Sequence, residues 1–283
     1  MPLTLGQYVA RYAVRHDIDA STVAYLRVAV QVFDRWHERP VELADLDDDL
    51  VSLFLRDSQR SGLSPYTVKS RRAAILLLWR AAWREKLVAA APGDVRKIRC
   101  PETLRTTWTE GEIVRLVVSC HTLRGYFTAT GIQRGTFYSS LVMAAWDSGL
   151  RLCDLLRLRR DAIDADGTVR LVQHKTGKAH VAWLTARTMQ EIESIFPPTR
   201  ELVWPLWARR EQFYKLFRRV LGASGLSGSF RKLRRSSGTA VDAIQPGTGW
   251  QHLGNTPETA RRWYINPAIY ASRPRPPALV PAK

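Results

Sequence analysis

The chain has 283 residues, room for about two domains at roughly 150 residues each. A hydrophobic content of 45% and a charged content of 24% exclude wholesale disorder. Lys and Arg number 43 against 26 acids, a formal net charge of +17, and only eight of the 43 are Lys. A guanidinium fork meets phosphate oxygens two at a time, so the excess favours a polyanionic partner, unless it reflects a GC-rich genome. Three Cys, odd in number and far apart (Cys100, Cys120, Cys153), indicate neither a disulfide framework nor a zinc cluster. The apolar runs are too short to span a bilayer, and the first residues carry no charged-then-apolar leader. A soluble cytoplasmic protein with no membrane partner is the expectation.

The charge is segregated along the chain. Residues 1–57 carry a net −4, residues 58–99 a net +8, and residues 100–283 a net +13. The first third reads as helices: Thr4 or Ser21 are candidate caps, and Val23, Leu26, Val30 and Phe33 recur at helical spacing. A short helix is expected over 49–58. Ser64-Pro65 then supplies an N-cap and a first-turn proline for a long helix over 66–86. Val68, Ile75, Leu76, Leu78, Trp79 and Trp83 give that helix an apolar face, and Lys69, Arg71, Arg72, Arg80 and Arg84 make much of the remainder basic. Two readings stand open for it: a core helix with a solvated back, or a helix facing phosphate.

Ala91-Pro92-Gly93 stops the helix, and an extended linker follows. Thr107-Trp108-Thr109-Glu110 opens a second helical region with a capping pattern. An apolar stretch over 141–146 leads through Asp147-Ser148-Gly149 into a helix bearing Leu152, Leu155, Leu156 and Leu158. The one clear β signal is a hairpin, with strands over 168–173 and 179–184 and turns at Asp166-Gly167 and Thr176-Gly177. Helices resume over 185–195, 211–221 and 231–244. The last 15 or so residues are too rich in proline for a helix.

Three stretches become informative in order: Ser148-Gly149-Leu150-Arg151-Leu152-Cys153-Asp154, then Arg231-Lys232-Leu233-Arg234-Arg235, then His252-Leu253-Gly254-Asn255 with Tyr264 nine residues on. Lys175 sits between the first two, in the hairpin turn. Together they resemble the tyrosine recombinase (phage integrase) family, whose pattern runs arginine, hairpin lysine, His-x-x-Arg, Leu-Gly-His and tyrosine. The resemblance implies a mainly α fold with a small β-hairpin and a two-domain architecture. Residues 1–98 would form a helical, SAM-like core-binding domain and 99–106 a linker. Residues 107–283 would form a mixed α/β catalytic domain with a C-terminal tail over 265–283.

What the resemblance implies chemically fits the residue types. Arg151 and Arg234 would clamp the non-bridging oxygens of a phosphodiester, being permanently charged and needing no metal. Tyr264 would attack phosphorus to give a 3′-phosphotyrosyl strand, conserving the bond energy so that rejoining needs no ATP. Lys175 would protonate the departing 5′ oxygen, and Asp154 would orient its neighbours. Tyr270 is a rival nucleophile. The family reading has no cofactor and no metal ligands. It implies site-specific recombination or integration between two double-stranded DNA sites by a homotetramer on DNA, nucleoid-associated, serving a mobile element of prokaryotic or phage type. The two domains would close on duplex DNA, with the basic helix entering the major groove and Lys69, Arg71, Arg72 and Arg80 as its DNA contacts. The tail would dock on a neighbouring subunit.

Two positions depart from the pattern. Arg231 stands where the family usually has the first histidine, and Asn255 where it usually has the second. Arg231 can donate to phosphate but is a poor base, and Asn255 can hydrogen-bond but carries no charge. The departures keep open a catalytically weakened or inactive relative that only binds DNA; a type IB topoisomerase-like enzyme is a further alternative. For an active but weakened site, Asn255→His is expected to raise the yield of DNA cleavage, measured as covalent protein–DNA adduct; an unchanged yield places residue 255 outside the reacting group.

Overall fold

The computed structural model describes residues 2–102, 104–195, 200–205 and 210–270; the expected tail beyond residue 270 lies outside them. The chain divides into two compact units, Met1–Thr103 and Leu104–Lys283.

The first unit is helical. In α1 (Leu5–Arg15), Thr4 Oγ1 accepts from the Gln7 N–H at 3.2 Å while the Gln7 side chain accepts from the Thr4 N–H at 3.0 Å, a reciprocal cap. The cap of α2 (Ala20–His37) is Asp19, whose Oδ1 accepts from the N–H groups of Ser21 and Thr22 at 2.9 and 3.0 Å. Ser21 therefore lies inside the first turn: a carboxylate bonds two orphan donors and complements the helix dipole where one hydroxyl serves less well. Next come α3 (Asp48–Arg60) and α4 (Pro65–Arg84). Leu26, Val30, Phe33, Phe54, Ile75, Leu78 and Trp79 meet in one core.

The apolar stripe of α4 ends differently from expectation. It runs through Ile75, Leu78, Trp79 and Ala82, which are buried, and leaves Trp83 45% exposed. At 100° per residue, Ala82 continues the row from Ile75 and Leu78 and Trp83 falls outside it. Of the basic residues, Lys69, Arg80 and Arg84 are exposed, and Arg71 is partly buried. Arg72 donates from Nε to the Arg96 carbonyl at 2.8 Å and from Nη2 to the Val95 carbonyl at 3.0 Å, pinning the strand that follows the helix. The Glu85 carboxylate accepts from the Tyr8 hydroxyl at 2.9 Å and pairs with Arg11 and Arg15 at 3.1 and 2.9 Å.

The second unit opens with α5 (Glu110–Cys120), capped by Thr109 and Glu112, and α6 (Arg134–Ser148), which ends on Gly149 at φ +60°. Then comes α7, a single turn (Leu152–Leu155). It is shorter than the leucine spacing suggests, because Arg159 is drawn into a bridge with Leu202 and the Leu158 carbonyl accepts from the Val203 N–H at 3.0 Å. The sheet is β1 (Thr168–Val172) against β2 (Ala179–Trp183), antiparallel, with Thr168 opposite Trp183 and Val172 opposite Ala179. Following it are α8 (Ala186–Ile195), α9 (Arg210–Ala223), α10 (Phe230–Ile244), α11 (Gly249–His252) and α12 (Pro257–Trp263). The core gathers Leu141, Leu155, Val169, Trp204, Phe213, Phe217 and Leu233.

Close approach of α10 to the segment after α11 depends on Gly238, where a Cβ would stand 2.6 Å from Leu253 Cδ1. The Asp242 carboxylate, buried beside it, accepts from the Gly247 and Gly249 N–H groups at 3.1 and 2.9 Å. Among the described residues no helix is long and apolar enough to cross a membrane.

Trp79 is fully packed and its Nε1 donates to the Ala90 carbonyl at 2.9 Å. Trp79→Ala therefore removes a large core side chain and orphans a carbonyl. The expected loss is about 3–5 kcal/mol, measured by urea unfolding followed by circular dichroism.

Candidate active site

Arg151 precedes the first residue of α7, and its guanidinium turns inward. Nη1 donates to Gln173 Oε1 at 2.7 Å and Nη2 to Asn255 Oδ1 at 2.9 Å. Asp154, buried one turn on, stands 3.8 Å from Arg151. Its Oδ1 accepts from the His174 N–H at 2.9 Å, tying α7 to the hairpin.

Arg234 enters from α10 and is buried. Nη1 donates to the Gly149 carbonyl; Nη2 donates to the Leu253 carbonyl at 2.6 Å and to Asn255 Oδ1 at 3.3 Å. One amide oxygen thus takes a bond from each of two guanidiniums. Burial, and next the charge of Arg151, pull the Arg234 pKa down to about 10.

The Tyr264 ring lies 4.9 Å from Arg234 Cζ. Burial by itself would raise the Tyr264 hydroxyl pKa, but Arg234, Arg151 and Arg231 outweigh it and hold the group below the ordinary tyrosine value. Tyr264 ends α12, and the chain after it is fastened to its own unit. Ile265 is buried, the Asn266 N–H donates to Thr239 Oγ1 at 3.0 Å, and Asn266 Nδ2 donates to Thr107 Oγ1 at 3.2 Å.

The expected residues are thus only partly assembled. Arg151, Asp154, Arg234, Asn255 and Tyr264 converge. Arg231 is exposed and bears on Tyr264 through its charge. Lys175 is exposed in the hairpin turn, with no hydrogen bond or ion pair among the described residues. Lys69, Arg71, Arg72 and Arg80 belong to α4 of the other unit. The side chain of Tyr270 lies outside the described residues.

Three further residues line the site: Gln173, His180 and His252. Gln173 is completely buried. His180, on β2, lies near Arg151, Arg234 and Asp154; burial, then Arg234 and Arg151, lower its pKa. Ser237 Oγ donates to the Trp146 carbonyl at 2.5 Å and accepts from His252 Nε2 at 2.6 Å. The spacing that singles out Arg151 and Asn255 is silent on these residues, because a polar residue in a strand or short helix carries no local sign that it is buried. Gly254, at φ +56°, brings the backbone against two of them. A Cβ there would lie 2.4 Å from Gln173 Nε2 and 2.7 Å from His180 Nδ1, so glycine is required on both counts.

Asn255 Nδ2, Arg234 Nε, Gln173 Nε2, His180 Nε2 and Asp154 Oδ2 are buried without a hydrogen-bond partner among the described residues. Such groups are scarce in packed cores, and here five belong to one cluster. Among the described residues no group of His, Cys, Asp and Glu has a metal-ligating arrangement.

Burial, with Arg234 and His180 adding to it, depresses the His252 pKa from 6.5 to about 4. The folded state therefore resists protonating an imidazole that the unfolded chain protonates freely. Its contribution to stability is complete above about pH 6.5 and is lost as pH falls toward 4, by up to about 3 kcal/mol. His252→Asn is expected to flatten that decline, measured as unfolding free energy against pH; an unchanged slope contradicts the assignment.

No family model matches the chain. Tyrosine recombinase XerD of Caulobacter vibrioides is 26% identical over 144 residues, covering 50% of this chain and 44% of the relative. The matched stretch thus spans less than half the length of that relative. Among solved structures, a lambda integrase dimer bound to a COC′ core site superposes with a TM-score of 0.72 at 17% identity, covering 97% of this chain and 80% of that one. The XerH site-specific recombinase, in a post-cleavage complex with palindromic difH substrate, gives 0.64 at 17% identity over 85% and 75%. The Tn1549 transposon integrase, in complex with circular intermediate DNA, gives 0.65 at 11% identity over 93% and 95%. These structures share the fold, and XerD is similar in sequence over half of this chain; in both respects the chain is similar to tyrosine recombinases.

Proposed function

We propose that this protein is a site-specific DNA recombinase or integrase that cleaves and rejoins strands through Tyr264. The observation that carries the proposal is the convergence of Arg151 and Arg234 on Asn255 Oδ1, at 2.9 and 3.3 Å, with the Tyr264 ring beside Arg234. Two guanidiniums so held offer a fixed positive site for a phosphodiester whose charge grows in the pentavalent transition state. Tyr264 Oη attacks phosphorus, the Oη–P bond forms and the P–O5′ bond breaks. The phenolic proton passes to solvent, and the departing O5′ takes a proton from the Lys175 ammonium. The lowered Tyr264 pKa favours the nucleophilic phenolate. Because the phosphoester is conserved, attack by the hydroxyl of a second duplex completes strand exchange without ATP.

Double-stranded DNA is the partner in this proposal, with two recombination sites held by a homotetramer. Exposed Lys69 and Arg80 on α4, with Arg71, supply phosphate and groove contacts. Arg72 contributes charge while holding the backbone at 95–96. Such contacts make binding fall steeply with salt. Any exchange of the tail begins beyond Asn266, which is fastened within its own unit.

The alternative of a DNA-binding relative without chemistry draws on the same site. Asn255 and Arg231 supply neither a base nor a second imidazole, so binding without cleavage is its signature. The deciding experiment uses duplexes selected from random sequence by binding to the protein, then nicked near the bound site so that cleavage traps the enzyme. A covalent adduct is expected with the wild-type chain and none with Tyr264→Phe. Tight binding with no adduct from either overturns strand cleavage in favour of the binding protein.

A further inference from the structure

Gln173 directly follows β1, two residues before Lys175, and is completely buried. Its Oε1 accepts two hydrogen bonds, from Arg151 Nη1 at 2.7 Å and from Thr176 Oγ1 at 2.9 Å. Its backbone closes the turn: the N–H donates to the Lys178 carbonyl at 2.9 Å and the carbonyl accepts from the Gly177 N–H at 2.8 Å. Immediately before Lys175, the His174 N–H donates to Asp154 Oδ1 at 2.9 Å. Both neighbours of Lys175 are thus bonded to groups that touch or face Arg151, while Lys175 itself is exposed. Close packing of Gly254 against Gln173 Nε2 leaves the amide little room to turn.

We propose that Gln173 is a positioning residue that couples Arg151 to the turn carrying Lys175. It rests on the strand-cleavage proposal above and adds to it how the acid is set. Arg151 bonds the phosphate; Gln173 Oε1, held by Arg151, fixes Thr176; Thr176 fixes the turn, and the Lys175 ammonium is set over O5′. As the P–O5′ bond breaks, its electron pair stays on O5′ and one ammonium proton moves to that oxygen. Gln173 touches neither the substrate nor the transferred proton.

The test exploits the leaving group. A scissile ester with a bridging 5′ sulfur departs as a thiolate, stable near neutral pH and in no need of an acid, whereas the 5′ oxygen requires one. Thr176→Val cuts only the turn side of the bridge and lies at an exposed position. On the oxygen ester, adduct formation by Thr176→Val is expected to slow about fivefold, and by Gln173→Met about tenfold or more. On the sulfur ester, Thr176→Val is expected to return to within about twofold of wild type, as Lys175→Ala does, with DNA binding by Thr176→Val unchanged. A Thr176→Val deficit equal on both esters, or absent on both, overturns the proposal, and it decides the matter even where Gln173→Met does not fold. Failure of the wild type itself to form adduct on either ester overturns the cleavage proposal underneath.

Discussion

Two permanently charged groups, Arg234 buried and Arg151 partly buried, lie side by side in this protein and share one neutral acceptor. Arg151 and Arg234 both bond Asn255 Oδ1, and among the described residues no carboxylate forms an ion pair with Arg234, Asp154 acting on it only through its charge. The depressed Arg234 pKa, about 10 against 12.5, corresponds to roughly 3 kcal/mol disfavouring its charge. An anion between the guanidiniums relieves that cost. An amide can orient the pair without cancelling its charge, whereas a carboxylate at residue 255 would neutralise it.

Much of the second unit serves to deliver acceptors to that pair. The end of α6 supplies the Gly149 carbonyl, the end of α11 supplies the Leu253 carbonyl, and the residue after β1 supplies Gln173 Oε1. Gly238 lets the Leu253 segment press against α10, and Asp242 pins the turn that starts it. A small cluster of Leu253, Ala260 and Ile265, with Trp250 and Tyr264 packed on it, carries the tyrosine to the same place. Hydrogen bonds and packing hold the guanidiniums and the phenol, while the Lys175 side chain is exposed. That division suits the roles proposed for them: fixed dipoles and charges stabilise a transition state without reorganising, and an acid must reach an oxygen that moves away.

Arg231 and Asn255 stand where the pattern that this chain resembles has histidines, yet imidazoles are present nearby. His180 and His252 lie among the same guanidiniums, and burial together with those charges lowers both pKa values. They are neutral hydrogen-bonding groups near pH 7, a different contribution from that of a charged family histidine. Arg231, exposed, acts on Tyr264 through its charge, and a guanidinium offers no proton acceptor.

Local chemistry made much of the fold legible. Thr4 with Gln7, Thr109 with Glu112, and Ser64-Pro65 mark helix starts because a cap bonds within three residues. The hairpin followed from its turns and alternation, and the order of Arg151, Lys175, Arg234, Asn255 and Tyr264 pointed to the family. Short-range signals misjudged Ser21 against Asp19, the exposure of Trp83 and the length of α7, where a competing cap, helical phase and a distant bridge decided. The Arg151–Gln173 and Arg151–Asn255 bonds join residues 22 and 104 positions apart, as does the union of Arg72 with the backbone 23 and 24 positions on. Sequence alone determined which residue types and elements exist and in what order. Only packing decided which polar atoms lose water together, and therefore which of them must bond one another, because burial belongs to the whole fold and not to any stretch of chain.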